Sequence, residues 1–109
     1  MIKLKRAQYR YNGEDRMDIT AKSAEGYAKW FAPLWEMVVA HKSGAVDDET
    51  YARRYIRILN RVPHLSHKLE EYGESGEITF VCFCPDGKFC HTHILINYLV
   101  DRFPDKFSK

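Results

Sequence analysis

All three cysteines of the chain, and two of its five histidines, fall within one short stretch. They are Cys82, Cys84, Cys90, His91 and His93. Thiols and imidazoles are the side chains that most often serve as nucleophiles, proton carriers and ligands of soft metals. Because they are concentrated in one place, this stretch is the candidate functional site.

Cys90 directly precedes a predicted helix. The unpaired N–H groups and the dipole at a helix N-terminus favour negative charge, so a thiol there is expected to ionise more readily and to be a better nucleophile. The same N–H groups would bind a phosphate or carboxylate without any thiol chemistry. His91 could orient a substrate, relay a proton or cap the loop. We therefore predict Cys90 as the functional thiol and His91 as its acid–base partner.

The same cysteines allow two other interpretations. Since cysteine is among the most buried residue types, Cys82 is expected to be a core residue, while Cys84 fits a core position and a binding position equally well. A tetrahedral zinc site would use Cys82, Cys84, Cys90 and His93. Against zinc, the pair is Cys-x-Cys rather than Cys-x2-Cys, and no second Cys/His pair lies elsewhere at ligand spacing. We rank zinc below the anion-or-nucleophile interpretation and predict no cofactor.

A strand and a helix are predicted to position this stretch. Residues 78–84 form a continuous apolar, β-branched and aromatic run, which is typical of a strand covered on both faces. The turn-forming residues 85–87 end it. A helical apolar stripe follows, which Pro104 limits, and its members are Ile94, Leu95, Tyr98 and Leu99. Strand, loop and helix form the half-unit of an α/β fold, in which ligands bind beyond the carboxyl ends of the strands.

A second polar group lies near the amino terminus. If residues 16–22 are extended, alternation places Arg16, Asp18, Thr20 and Lys22 on one face. Two cations, a carboxylate and a hydroxyl would suit an anionic or hydroxyl-rich ligand. The solvent face of an ordinary amphipathic strand fits the pattern equally well.

The first predicted strand runs from Ile2 to Tyr11, with a possible early end, and Asn12-Gly13 follows as a turn. Ile2 and Leu4 share one face of this strand. Its four basic residues are interpreted as the solvated charges of an edge strand rather than a nucleic-acid patch, and they are Lys3, Lys5, Arg6 and Arg10.

Residues 24–32 are predicted to be irregular, and several helices follow. The first begins at Pro33 and ends near Gly44, with a buried stripe of Trp35, Val38 and Val39. The next is capped by Asp47, and its apolar face consists of Tyr51, Tyr55, Ile58 and Leu59. Such tyrosines are mostly core residues, but their hydroxyls could reach a polar site. After a break at Val62-Pro63, a further stripe consists of Leu65, Leu69 and Tyr72.

The element order predicts one α/β domain over residues 1–109. We expect a small, largely parallel sheet of about three strands, right-handed crossovers and helices on both faces. The mild net charge of +2 does not call for nucleic acid as a partner. An odd number of cysteines, no apolar segment of a signal peptide and no run long enough to cross a bilayer predict a soluble, cytoplasmic protein.

Several distinctive motifs occur along the chain. They are Arg16-Met17-Asp18-Ile19-Thr20 with Lys22, Phe31-Ala32-Pro33-Leu34-Trp35, the helix bearing Tyr51 and Tyr55, and the set Cys82, Cys84, Gly87, Phe89, Cys90 and His91. This combination resembles the family catalogued as domain of unknown function 488, and in particular its short members found in phage and prophage genomes. The chain departs from the family pattern at Thr92, where the family usually has arginine.

The resemblance covers nearly the whole chain and implies a fold and a site rather than a reaction. It favours a site in which Arg16 and Lys22 contact an anion and Asp18 orients the ligand or acts as a base. Thr20, Trp35, Tyr51, Tyr55 and Cys84 are the further candidates for ligand contact.

We therefore predict a domain that binds a small anionic or nucleotide-like ligand, with Cys90, His91 and Asp18 as catalytic residues if it is an enzyme. The alternatives are a non-catalytic accessory or interaction protein and a small zinc-binding protein.

Overall fold

The computed structural model describes residues 1–83 and 89–109 of the chain. In chain order its elements are β1 (Ile2–Gln8), β2 (Arg16–Asp18), a 3-10 helix (Gly26–Phe31), α1 (Trp35–Lys42), α2 (Asp48–Asn60), α3 (Leu65–Tyr72), β3 (Glu77–Cys82), α4 (His91–Arg102) and β4 (Phe107–Ser108). Helices connect β2 to β3 and β3 to β4, and the strands pair in parallel, so the predicted α/β class is confirmed.

The described strands form one parallel sheet in the order β2-β3-β1-β4. The sheet has four strands where about three were expected, because β4 is a two-residue strand that carries no readable pattern. Its pairing with β1 places β1 inside the sheet, so β1 is not the edge strand that was predicted. β1 also ends at Gln8, three residues before Tyr11, and β2 ends at Asp18 rather than continuing to Lys22.

Both helical connections lie on the same face of the sheet. The chain moves across the sheet in one direction from β2 to β3 and again from β3 to β4, so right-handed crossovers put the intervening helices on one side. The buried apolar cluster agrees, because it contains the sheet residues Leu4, Ile78 and Phe80 together with residues of all four helices. The helices therefore pack on one face, and not on both as the sequence led us to expect.

The β1–β2 connection covers the opposite face of β3. The carboxylate of Asp15 accepts hydrogen bonds from the hydroxyls of Tyr11 and Thr79, and Lys5 Nζ lies 3.4 Å from the same carboxylate. The backbone carbonyl of Asp15 also accepts from the N–H of Thr79 at 2.8 Å. β3 is consequently covered on both faces, as its continuous apolar run predicted, but one of the two covers is a loop.

The register of α1 differs from the prediction. Residues 26–31 form a 3-10 helix instead of irregular chain, and α1 begins at Trp35, two residues after Pro33. Met37 is the buried residue of α1, whereas Trp35 and Val39 are 44% and 47% exposed and Val38 is half-buried. The predicted buried stripe was wrong because α1 lies at the edge of the core. Its Met37 side packs on the core, while Trp35 and Val38 line a cavity.

The next two helices follow the prediction except at Tyr72, which belongs to the predicted apolar stripe of α3 but is 41% exposed. The side chain of Asp47 caps α2 by accepting a hydrogen bond from the N–H of Thr50 at 2.8 Å. Tyr51, Tyr55 and Leu59 are buried on α2, and α3 begins after the break around Pro63. In the described part of the chain, no helix combines the length and the apolar character that a membrane span requires.

Two α1 substitutions test the corrected register. Met37→Ala is expected to lower the free energy of unfolding by about 2–4 kcal/mol, because it removes a buried side chain from the core. Val39→Ala is the matched control on the same helix, and it is expected to change that free energy by less than about 0.5 kcal/mol. Urea unfolding followed by circular dichroism measures both values. A larger loss for Val39→Ala than for Met37→Ala would mean that the predicted stripe, and not the observed one, faces the core.

Candidate functional site at the carboxyl end of β3

A cavity of about 460 Å³ lies beyond the carboxyl end of β3, next to the N-terminus of α4. Five described segments line it, namely the turn after β2, α1, α2, the end of β3 and the start of α4. The described lining residues are Thr20, Ala21, Lys22, Trp35, Val38, His41, Lys42, Tyr51, Cys82, Phe83, Phe89, Cys90 and His91. Its place in the sheet is the usual ligand position of a parallel α/β fold.

Two thiols form the floor of this cavity. Cys82 is the last residue of β3 and Cys90 is the N-cap of α4, and their sulfur atoms lie 3.0 Å apart. Cys82 is 1% exposed and Cys90 is 2% exposed. The burial of Cys82 matches the core position expected for it, but its sulfur also belongs to the site.

Arg6 brings a positive charge to these sulfurs. Its Nη2 donates to Cys82 Sγ at 3.2 Å, and its Nε donates to Thr92 Oγ1 at 3.2 Å. A guanidinium beside a sulfur stabilises the thiolate form. Thr92 at the start of α4 therefore accepts a hydrogen bond from an arginine that β1 supplies.

The prediction that Arg6 is a solvated charge on an edge strand was wrong. Arg6 shares the inward-facing side of β1 with Leu4, and it pairs in register with Phe80. A cation two residues along from a buried leucine in a strand was the available signal. The signal could not be recognised from the sequence, because β1 is an interior strand only through its pairing with the short strand β4.

His91 is fixed beside Cys90 in a defined protonation state. Its ring is 6% exposed, and its Nε2 lies 2.8 Å from the carbonyl oxygen of Ile19. Because a carbonyl only accepts, Nε2 carries the hydrogen and Nδ1 of the neutral ring is left as an acceptor. Burial lowers the pKa of His91 below its usual 6.5, although the hydrogen bond to Ile19 acts in the opposite direction. Nδ1 lies 3.8 Å from Cys90 Sγ, so it can accept the thiol proton.

Asp18 organises the turn that forms one rim of the cavity. Its carboxylate accepts from the backbone N–H of Thr20 at 2.9 Å, from the hydroxyl of Thr20 at 2.7 Å and from the hydroxyl of Ser23. Burial raises the pKa of Asp18, but these hydrogen bonds outweigh it, so the net pKa lies below the usual 3.8. Asp18 is not among the described residues that line the cavity, whereas Thr20 is.

The remaining walls are aromatic and carry positive charge at the rim. The ammonium of Lys22 lies 4.2 Å from the centre of the Trp35 ring. The rings of Tyr51 and Phe89 meet edge to face at 5.5 Å, and His41 lies 4.9 Å from each of them. Such a surface can hold a planar apolar ring with an anionic group at the entrance.

The structure brings together most of the predicted site residues but not all of them. Arg16 lies apart, because its Nε and Nη2 donate to the backbone carbonyls of Tyr11 and Tyr9 at 2.9 and 3.0 Å. Tyr55 is fully buried, and its hydroxyl donates to the carbonyl of Phe31.

The predicted zinc ligands are also separated in part. His93 is exposed on α4, and Cys84 lies outside the described residues. Among residues 1–83 and 89–109, no group of three or more His, Cys, Asp or Glu side chains is placed to hold a metal ion.

A model of a known protein family matches most of the chain. The model DUF488-N3a, described as the active DUF488-N3 subclade, matches residues 3–102. No curated protein and no solved structure matches the chain. The family resemblance seen in the sequence is thus confirmed, while its assignment to the phage-type members stays a prediction.

The buried imidazole predicts a specific pH dependence of stability. In the unfolded chain His91 has its ordinary pKa, so below about pH 6.5 the unfolded state binds the proton that the folded state rejects. The free energy of unfolding should therefore fall with decreasing pH in this range, by at most about 1.4 kcal/mol per pH unit from this group. His91→Gln keeps a donor for Ile19 without this ionisation, so its stability should fall less between pH 7 and pH 5. Urea unfolding of both proteins at each pH compares them, and parallel curves would contradict the assignment of a neutral His91.

Proposed function

The chain belongs to the family described as the active DUF488-N3 subclade, and we propose that its cavity binds an anionic, nucleotide-like substrate on which Cys90 acts as nucleophile. One observation carries the proposal. Cys90 Sγ lies beside the proton-accepting Nδ1 of His91, at the floor of a cavity with aromatic walls. A thiol, a base and an orienting group for that base are the parts that a nucleophilic cysteine site requires. The family's description calls the subclade active but names no reaction.

The shape and charge of the cavity support a ligand with a ring and an anionic group. Trp35, Phe83 and Phe89 offer aromatic faces for a planar base. Lys22 and Lys42 supply positive charge at the rim, and the amide groups at the start of α4 favour an anion near the floor. Asp18 acts indirectly in this scheme, because it holds Thr20 and the turn that presents Lys22.

The chemistry follows from the tautomer of His91. Nδ1 accepts the proton of the Cys90 thiol, and the resulting sulfur anion forms a bond to an electrophilic carbon of the substrate. The leaving group departs with the electron pair of the bond that breaks, and it takes the proton back from His91. The carbonyl of Ile19 holds the ring in place throughout, since it binds the N–H at the opposite side. Arg6 stabilises negative charge on the paired sulfurs.

The reactivity of Cys90 tests the nucleophile directly. Burial alone would suppress ionisation of the thiol, whereas the helix N-terminus and Arg6 promote it. We expect iodoacetamide to modify Cys90 near neutral pH faster than it modifies a model thiol, and Arg6→Gln to slow this reaction by about tenfold or more. Tryptic peptide 89–102 contains Cys90 as its single cysteine, so mass spectrometry of that peptide reports the rate. Arg10→Gln is the control, because Arg10 is exposed and should not affect the rate. A wild-type rate no higher than that of the model thiol would refute the nucleophile.

Ligand binding tests the other half of the proposal. Among nucleoside mono-, di- and triphosphates, at least one is expected to raise the melting temperature, and Lys22→Gln should weaken its binding by about fivefold, equivalent to about 1 kcal/mol. Lys29→Gln provides a matched control, since Lys29 is exposed and does not line the cavity. Chromatography of the same mixtures then shows whether the bound compound is converted. Binding without conversion would favour the non-catalytic module, and the absence of any thermal shift would contradict a nucleotide-like ligand.

A further inference from the structure

We propose that Cys82 and Cys90 form a reversible disulfide when the protein meets hydrogen peroxide, and that the cavity floor is therefore an oxidation site. The sulfur atoms of these residues lie 3.0 Å apart across the cavity floor. A disulfide bond is about 2.05 Å long, so the two atoms need to approach by only about 1 Å. This modification of the two thiols requires no substrate.

The elements that carry the two cysteines explain why the sulfurs meet. Cys82 ends β3 on the core face of the sheet, and it pairs in register with Gln8 of β1. Cys90 caps α4, which packs against β1 and β3. The two side chains approach from a strand and a helix whose relative position is fixed by the core, so the sulfurs are held near each other in the reduced protein.

The oxidation has two steps with a complete balance. First, His91 Nδ1 accepts the proton of Cys90, and Cys90 Sγ attacks one oxygen of hydrogen peroxide. The O–O bond breaks, and the departing hydroxide takes that proton and leaves as water, so Cys90 becomes a sulfenic acid. Second, Cys82 Sγ attacks Cys90 Sγ, the S–S bond forms and the S–O bond breaks. The second hydroxide leaves as water with the proton of Cys82. Two thiols are oxidised by two electrons, and one peroxide is reduced to two waters.

The contacts of the two sulfurs indicate that Cys90 reacts first with peroxide and that Cys82 then attacks Cys90. The guanidinium at 3.2 Å favours the thiolate of Cys82, which is the form that attacks a sulfenic acid. Cys90 is the thiol beside the base, at 3.8 Å from Nδ1, so it is the one that meets the oxidant. A sulfenic acid with a second thiol at this distance forms a disulfide before it is oxidised further.

The consequence is a reversible block of the site. A disulfide leaves Cys90 without a nucleophilic sulfur, and it removes the anion that the Arg6 guanidinium faces. A thiol reductant such as dithiothreitol returns both thiols. Under oxidising conditions Cys90 would therefore not react as a nucleophile, and reduction of the disulfide would restore its reactivity.

Peptide mapping can identify the bond, because the sequence separates the two cysteines on digestion. Trypsin cuts after Lys68, Lys88 and Arg102, so Cys82 lies in peptide 69–88 and Cys90 in peptide 89–102. After treatment with hydrogen peroxide and blocking with iodoacetamide, we expect these two peptides to be joined. The intact protein should retain one alkylatable thiol of its three, and dithiothreitol should restore all three.

Single substitutions decide which cysteine takes part. Peptide 69–88 also contains Cys84, so the Cys84→Ser protein is the decisive sample, and in it the joined peptides should persist. In Cys82→Ser the joined peptides should disappear, and Cys90 should instead gain two or three oxygen atoms. Urea unfolding of each reduced variant shows that it is folded before oxidation.

Two outcomes would overturn the inference. One is a joined peptide pair that survives Cys82→Ser and is lost in Cys84→Ser. The other is an oxidised wild-type protein in which Cys90 carries added oxygen and no peptides are joined. Neither result would affect the proposed function, because alkylation of Cys90 in the reduced protein requires no second thiol. Conversely, an unreactive Cys90 toward iodoacetamide with an intact disulfide would count against the nucleophile alone.

Discussion

The parallel pairing of β1 with β3 is the constraint on which the site depends. The register places Arg6 opposite Phe80, so its side chain points to the same face as Cys82, one pleat further along β3. In this arrangement the guanidinium lies 3.2 Å from that sulfur. The cation is therefore positioned by the backbone hydrogen bonds of the sheet. Arg6 is half-buried at this position, so its charge is screened less than that of a fully exposed side chain.

The direction of the crossovers explains how the rest of the cavity is assembled. The helices gather on one face of the sheet, so α1 and α2 come to the same side as the start of α4. Their aromatic residues then form walls above the thiols. On the other face, the short β1–β2 connection is anchored by Asp15 and by Arg16, whose guanidinium is held by two backbone carbonyls. Burial raises the pKa of Asp15, yet the hydrogen bonds from Thr79 and Tyr11 and the charge of Lys5 bring it below the usual 3.8. Arg16, which was predicted to contact an anion, thus helps Asp15 to anchor this connection.

Much of the fold and half of the site could be predicted from local pattern. The central strand, the Asp47 cap and the helix after Cys90 each have a short-range signature, and each is present in the structure. The position of Cys90 at the start of α4 could be predicted in the same way, because the start of a helix depends on neighbouring residues in the sequence. Two features depend on topology and could not be predicted. One is the place of Arg6, since β4, the strand that makes β1 interior, is only two residues long. The other is the orientation of α1, because Trp35 and Val38 line a cavity and Val39 is exposed. Arg16 shows the same limit, because alternation gives the face of a side chain but not the loop that covers that face.

The two covers of β3 have a consequence for how this strand can change. Its odd-numbered residues meet a polar loop through Thr79, while its even-numbered residues meet the helices through Ile78 and Phe80 and end at Cys82. An inserted or deleted residue within the strand would exchange the two sets, turning the hydroxyl into the hydrocarbon layer and the thiol away from its partners. Substitutions can be absorbed here one at a time, but the length of the segment cannot vary. Divergence in this segment is accordingly expected to proceed by replacement alone, with indels confined to the connections on either side of it.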